Sequence, residues 1–104
     1  MKELIKYKAY QVAPAELEAL LLTHPAIAEA AVIGKPDETA GEVPKAFLVR
    51  KGPVSATEVL EFVAARVAPY KKIRWVEFVE QLPKSPAGKL LRRVLREREC
   101  GRTA

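Results

Sequence analysis

The stretch PKSPAGK, residues 83–89, sets a lysine behind two prolines and a glycine, just ahead of the run LLRRVLRERE. Proline and glycine punctuate a chain more strongly than any other residues, so the pattern reads as a tight loop presenting the Lys89 amine. A lysine held this way is a point charge on a flexible stem. It can reach into a neighbouring site and neutralise negative charge that develops there. The same spacing also fits an ordinary surface lysine behind a turn glycine.

Other chemistries find no purchase. His24 and Cys100, the sole residues of their kinds, stand far apart in the sequence and cannot build a zinc site. Neither a Gly-x-Ser-x-Gly elbow nor a His-Glu-x-x-His motif is present. A phosphate-binding P-loop needs a glycine five residues before Gly88 and a Ser or Thr after Lys89, where Pro83 and Leu90 stand instead. With five glycines in all, the chain has no glycine-rich nest for a triphosphate. Lys89 is therefore expected to act on something outside the chain.

The elements that must position it follow from periodicity. Leu4–Tyr7 and Tyr10–Val12 read as the arms of a β-hairpin with Lys8-Ala9 at the turn, where a positive φ at Ala9 is expected to cost about 1 kcal/mol. Pro14 opens a helix through PAELEALLLTH, with Glu16 and Glu18 complementing its N-terminus, Leu17, Leu20 and Leu21 buried, and His24 capping its end. Residues 27–34 read as a strand, 34–42 as a turn-rich loop and 43–50 as a second strand. Ser55 to Glu58 form a capping box for a helix that buries Val59, Phe62, Val63 and Val67 and ends before Pro69. WVEFV (75–79) is a third strand, its Trp75 and Phe78 suited to a core. The last helix turns Leu90, Leu91, Val94 and Leu95 inward. The fold class predicted is α+β, a leading β-hairpin followed by a small three-stranded sheet covered by about three helices.

At 104 residues, this reads as one domain of ordinary apolar content, 49%, with no apolar run long enough to span a membrane, and the alternating start MKELIKYKAY is not expected to act as a signal peptide. The single cysteine points to a reducing compartment. Residues 1–83 hold eleven basic and eleven acidic side chains, so the net charge of +5 lies wholly in residues 84–102. That cluster (Lys84, Lys89, Arg92, Arg93, Arg96, Arg98, Arg102) favours an anionic partner or a solvated terminal helix.

Three blocks, KELIKYKAYQVAPAELE (2–18), IAEAAVIGKPDETAGEVPKAF (27–47) and LPKSPAGKLLRR (82–93), together resemble the C-terminal domain of the adenylate-forming enzymes. That superfamily includes acyl- and aryl-CoA synthetases, 4-coumarate–CoA ligases and firefly luciferase, with peptide-synthetase adenylation domains more distant. The wording of IKYKAYQVAPAELE is that of the CoA-ligase and luciferase branch.

The resemblance implies a two-step reaction. A carboxylate attacks the α-phosphate of ATP, with Mg²⁺ as its companion, to give an acyl-adenylate and pyrophosphate. The small domain then swings, and CoA displaces AMP. By resemblance Lys89 enters the site in the first step, Lys2 is the hinge, Lys6 and Gln11 approach the adenylate in the second conformation, and Lys8 and Ala9 line the CoA tunnel. The family usually has glycine where Ala9 stands, which puts thioester formation in doubt. Pro83, Gly88 and Lys89 also fit the pattern that protein acetyltransferases recognise, and acetylation would remove the Lys89 charge.

The chain is thus expected to be a single C-terminal lid domain, residues 1–104, lacking the large N-terminal domain that binds ATP and acid. Its partners would be that domain, in the same chain or as a separate subunit, a carboxylic acid and CoA. Alone it is expected to be inert, to bind no cofactor and no metal, and to be cytoplasmic. Two other readings stay open: a basic nucleic-acid-binding module using Lys84, Lys89, Arg92, Arg93 and Arg96, and a free-standing adaptor that docks on a partner ligase.

Overall fold

A computed structural model describes residues 4–102. The elements run β1 (Ile5–Tyr7), β2 (Tyr10–Val12), α1 (Pro14–Leu21), β3 (Ile27–Asp37), β4 (Gly41–Arg50), α2 (Ala56–Ala64), a 3-10 turn (Pro69–Lys71), β5 (Trp75–Phe78) and α3 (Arg92–Arg102). The strands form one five-stranded sheet: β2, β1, β4 and β3 lie side by side, and β5 joins β4 on the side β1 occupies further along. Every pairing is antiparallel except β4 with β5, as a strand returning through the α2 crossover requires. The predicted class holds, but the leading hairpin belongs to the same sheet, where Tyr7 pairs with Gly41.

Alternation along the strands supplies two apolar faces. Val32, Ala46 and Leu48 point toward α1 and α2, where Leu17, Leu21, Val59 and Val63 complete the larger core. Ala31, Ile33 and Phe47 point the other way, onto Leu82 and onto Leu95 of α3. A bulge between Ile27 and Glu29 shifts the register, which lets Ile27 and Ala30 share the first face. Helix α2 starts on the expected capping box, Ser55 Oγ accepting from Glu58 N–H and the Glu58 carboxylate from Ser55 N–H.

Several local expectations are corrected. Residues 34–42 are not a loop: β3 runs on to Asp37, and only 38–40 turn, held by Asp37 Oδ2, which accepts from Thr39 N–H at 3.1 Å and Ala40 N–H at 2.8 Å. Pro36 is tolerated because β3 is an edge strand. Pro44 is tolerated because its ring nitrogen shares the side of its carbonyl, which accepts Arg74 N–H, in the gap between the end of β1 and the start of β5. Helix α1 stops at Leu21, and His24 does meet its end, but through the backbone: His24 N–H donates to the Leu21 carbonyl at 3.0 Å. Its Nδ1 accepts Ala26 N–H, and its ring meets Phe62 edge-on at 4.9 Å. Helix α3 starts only at Arg92, since Leu90 is paired with Lys84 in an isolated bridge. Trp75 is 51% exposed and no part of the core.

The hairpin turn is also corrected. Lys8, not Ala9, carries the positive φ, +53°. Positive φ at the first central residue alone is the II′ pattern, whose second residue accommodates a Cβ without strain. Lys8→Gly should therefore raise the thermal midpoint, by several degrees if about 1 kcal/mol of left-handed strain is relieved; an unchanged or lower midpoint in a thermal melt counts against strain at that turn.

Candidate functional site

The loop bearing Lys89 is closed on itself. Ser85 N–H donates to the Lys89 carbonyl at 2.8 Å, Lys89 N–H donates to Ser85 Oγ at 3.1 Å, and Gly88 N–H donates to the Ser85 carbonyl at 2.8 Å. Gly88 sits at φ +88°, a conformation that side chains rarely adopt. Leu91 N–H donates to the Pro83 carbonyl, and Leu82 and Leu90 anchor the two ends in the α3-side core. With its backbone tied at both N–H and C=O, Lys89 is exposed, and its amine meets no acceptor among the described residues.

Two of its basic neighbours are engaged instead. Lys84 Nζ lies 2.7 Å from Glu29 Oε1 on β3. Arg92 holds Glu18 through Nε and Nη2. Glu18 was expected to complement a helix terminus; it is a buried carboxylate that also accepts Val32 N–H at 2.8 Å on the outer edge of β3. Nothing local in the sequence announces this, because the partner lies 74 residues away.

A second surface lies on the hairpin. Lys6 and Gln11 are directly opposed across β1 and β2 and both exposed, while Ile5 and Val12, one residue on, face the core. Lys6 is fixed through its backbone: its N–H donates to Glu42 Oε1 at 2.9 Å. The space for that carboxylate comes from Gly34, where an added Cβ would lie 2.8 Å from the Glu42 carboxyl. Gly41, at φ +89°, passes under the Lys6 carbonyl, which a Cβ would meet at 3.2 Å. Gly34→Ala should displace only the flexible Glu42 side chain, so stability falls by less than about 1.5 kcal/mol, while amide exchange at Lys6 quickens. Unchanged protection at Lys6 would argue against this lock.

Lys8 and Ala9 lie at the hairpin tip, where Lys8 N–H donates to the Ala40 carbonyl at 2.7 Å. An open cleft of about 280 Å³ lies beside it, lined in part by Tyr7, Lys8, Arg74 and Trp75. Arg74 Nη2 donates to Tyr7 Oη at 3.2 Å, and Tyr10 stacks on Tyr70 with ring centroids 4.2 Å apart. These aromatic ties to residues 70–74 were not legible in the sequence. Lys2, the expected hinge, lies outside the described residues.

The two lysine-bearing surfaces do not converge. Lys89 rides on a loop tied to the Glu29 end of β3, and Lys6 lies beyond β4 at the end where Pro36 pairs with Glu42. From 29 to 36 a strand extends roughly 23 Å.

Among the described residues no three His, Cys, Asp or Glu side chains gather to hold a metal, and no helix is long and apolar enough to cross a membrane.

Comparison with known proteins shows the family. Residues 16–89 match the model of the AMP-binding enzyme C-terminal domain. The 4-coumarate–CoA ligase-like protein 5 of Oryza sativa subsp. japonica is 61% identical over 97 residues, 91% of this chain and 18% of its own length. The peroxisomal OPC-8:0-CoA ligase 1 of Arabidopsis thaliana is 62% identical over 97 residues, with the same shares. The o-succinylbenzoate CoA synthetase of Bacillus subtilis, solved with its acyl-adenylate intermediate, superposes with a TM-score of 0.85 and 42% identity over 88% of this chain and 19% of that one. The chain thus spans about a fifth of the proteins it matches.

Proposed function

Because the chain belongs to the AMP-binding enzyme C-terminal domain family, we propose that it is the mobile lid of an ATP-dependent, AMP-forming acid–CoA ligase. The large domain that binds ATP and the acid is supplied from outside residues 1–104, in the same chain or as a partner subunit, and without it these residues catalyse nothing. Lys89 places its charge against the carboxylate and the α-phosphate as the acyl-adenylate forms. The Lys6–Gln11 surface faces the adenylate when CoA displaces AMP, with Lys8 and Ala9 beside the CoA arm and Lys2 as the hinge. ATP, Mg²⁺ and CoA belong to the assembled enzyme. Acetylation of Lys89 by a protein acetyltransferase would silence the first step alone. Cytoplasmic placement remains the proposal, against one relative that carries a peroxisomal name.

The observation that supports this reading most is the separation of the two surfaces. Backbones held near opposite ends of the sheet, roughly 23 Å of strand apart, favour the two amines serving one bound nucleotide in turn rather than together. Ala9, free of positive φ, gives no conformational reason for thioester formation to fail. The nucleic-acid reading gains nothing comparable, since Lys84 and Arg92 already face Glu29 and Glu18.

The test is a pair of half-reactions, with the adenylating domain attached. Lys89→Ala should lose pyrophosphate exchange yet still consume supplied acyl-adenylate with CoA, and Lys6→Ala should do the reverse. Equal loss of both steps in either variant would remove the division of labour.

A further inference from the structure

We infer that Glu18 is a positioning residue for Lys89, acting through Arg92; the inference rests on the role proposed for Lys89 above. Glu18 is 8% exposed, and its two oxygens hold Arg92 as a fork, Oε2 on Nε at 2.7 Å and Oε1 on Nη2, while Oε2 also accepts Val32 N–H. A guanidinium gripped at two nitrogens by both oxygens of one carboxylate is fixed in orientation as well as distance. Val32 is fully buried in the middle of β3, so the carboxylate is itself referenced to the sheet backbone.

Arg92 is the first residue of α3, three positions past Lys89. Between them, Leu91 N–H is bonded to the Pro83 carbonyl and the Ser85–Lys89 turn is closed by three hydrogen bonds, so the loop moves as a unit with Arg92. The other end of the loop is tethered by Leu82 and by the Lys84–Glu29 pair, whose side chains are 43% and 38% exposed. An exposed pair of that kind constrains little. Leu82 and Leu90 hold the ends of the loop by apolar packing, which is non-directional; the Glu18–Arg92 fork adds the directional contact that sets where the loop, and hence the Lys89 amine, points.

A reacting group displaced by about 1 Å loses on the order of 100-fold in rate, so even a partial slackening of the loop is measurable. With the adenylating domain attached, Glu18→Gln should slow adenylate formation by at least about tenfold and leave the use of supplied acyl-adenylate by CoA within about twofold. A merely structural role would lower both half-reactions together, and that result overturns the inference. The double variant Glu18→Gln/Lys89→Ala should form adenylate no more slowly than Lys89→Ala alone, because the fork matters only through that amine; additive losses also overturn it. Should Glu18→Gln fail to fold, Arg92→Lys keeps the charge, loses the fork and must show the same split, with faster amide exchange at Gly88 and Leu91. If Lys89→Ala itself leaves adenylate formation intact, the function proposed for Lys89 fails and takes this inference with it. If Lys89→Ala abolishes that step while neither Glu18→Gln nor Arg92→Lys slows it, the positioning role alone fails.

Discussion

Replacing Lys89 by alanine is expected to lower acyl-adenylate formation by roughly 100- to 1,000-fold, the usual loss when one preorganised electrostatic group is removed from a developing charge. The structure supports a loss of that size rather than a smaller one. Lys89 has both backbone groups bonded to Ser85, so its stem starts from a fixed point, and its amine meets no acceptor among the described residues. Little has to be broken or reordered when it engages a partner. Lys89→Gln, which resembles the acetylated side chain, should match the alanine variant, since both lack the charge. Pyrophosphate exchange with the adenylating domain attached is the direct measurement. A fall of less than about threefold would mean that the amine is not at the reacting phosphate.

The largest expected effect on stability lies elsewhere, at Glu99. This residue of α3 is 3% exposed and sits between two ammonium groups, with Lys35 Nζ and Lys45 Nζ each 2.6 Å from one of its oxygens. Lys45, itself 6% exposed, also reaches Glu77 Oε1 at 3.0 Å. Two lysines and two glutamates thus form a charge-balanced group joining α3 to β3, β4 and β5, with Lys45 and Glu99 buried and Lys35 and Glu77 half-buried. Removing one member leaves uncompensated charge inside the protein, so Glu99→Ala should cost about 3–5 kcal/mol. That is a large part of the 5–15 kcal/mol typical of a whole domain. Urea unfolding measures it, and a cost below about 1 kcal/mol would show that the lysines escape to water.

The same group sets a pH dependence. Burial pushes the Glu99 carboxyl up, but hydrogen bonds and charge from Lys35 and Lys45 together outweigh it and hold the carboxyl below its ordinary value. A carboxyl held low in the folded state stabilises fully above its unfolded value, about 4.3, and loses that contribution as pH falls through the folded value. Wild-type stability should therefore drop on acidification below about pH 4.3, with a shallower slope in Glu99→Gln.

Much of this was legible in the sequence wherever the determining residues are close together. The capping box of α2 is complete within Ser55 to Glu58, and the hairpin pairing of Lys6 with Gln11 follows from a two-residue turn at Lys8-Ala9. Apolar alternation identified the strand cores. The exposure of Lys89 followed from Pro and Gly chemistry alone. What failed depends on tertiary partners. GKPDETAGE has the composition of a loop, yet most of it is strand, because β4 supplies the ladder and β3's edge position tolerates Pro36. Glu18 looks like a helix-terminus acid until the chain brings Arg92 back to it. Trp75 looked like core, but it has the parity of Lys45, not that of Ala46, and stands at the open end of its face.

The attachment of the Lys89 loop and of Lys6 to one sheet has a further consequence under the proposed function. With both backbones held to the same frame, a motion that seats one amine would withdraw the other. The two chemical steps are then ordered in time by geometry alone: the thiol-accepting arrangement does not exist while pyrophosphate is still leaving. A reactive mixed anhydride is thereby kept from its nucleophile until the first half of the cycle is finished, with no separate gate required.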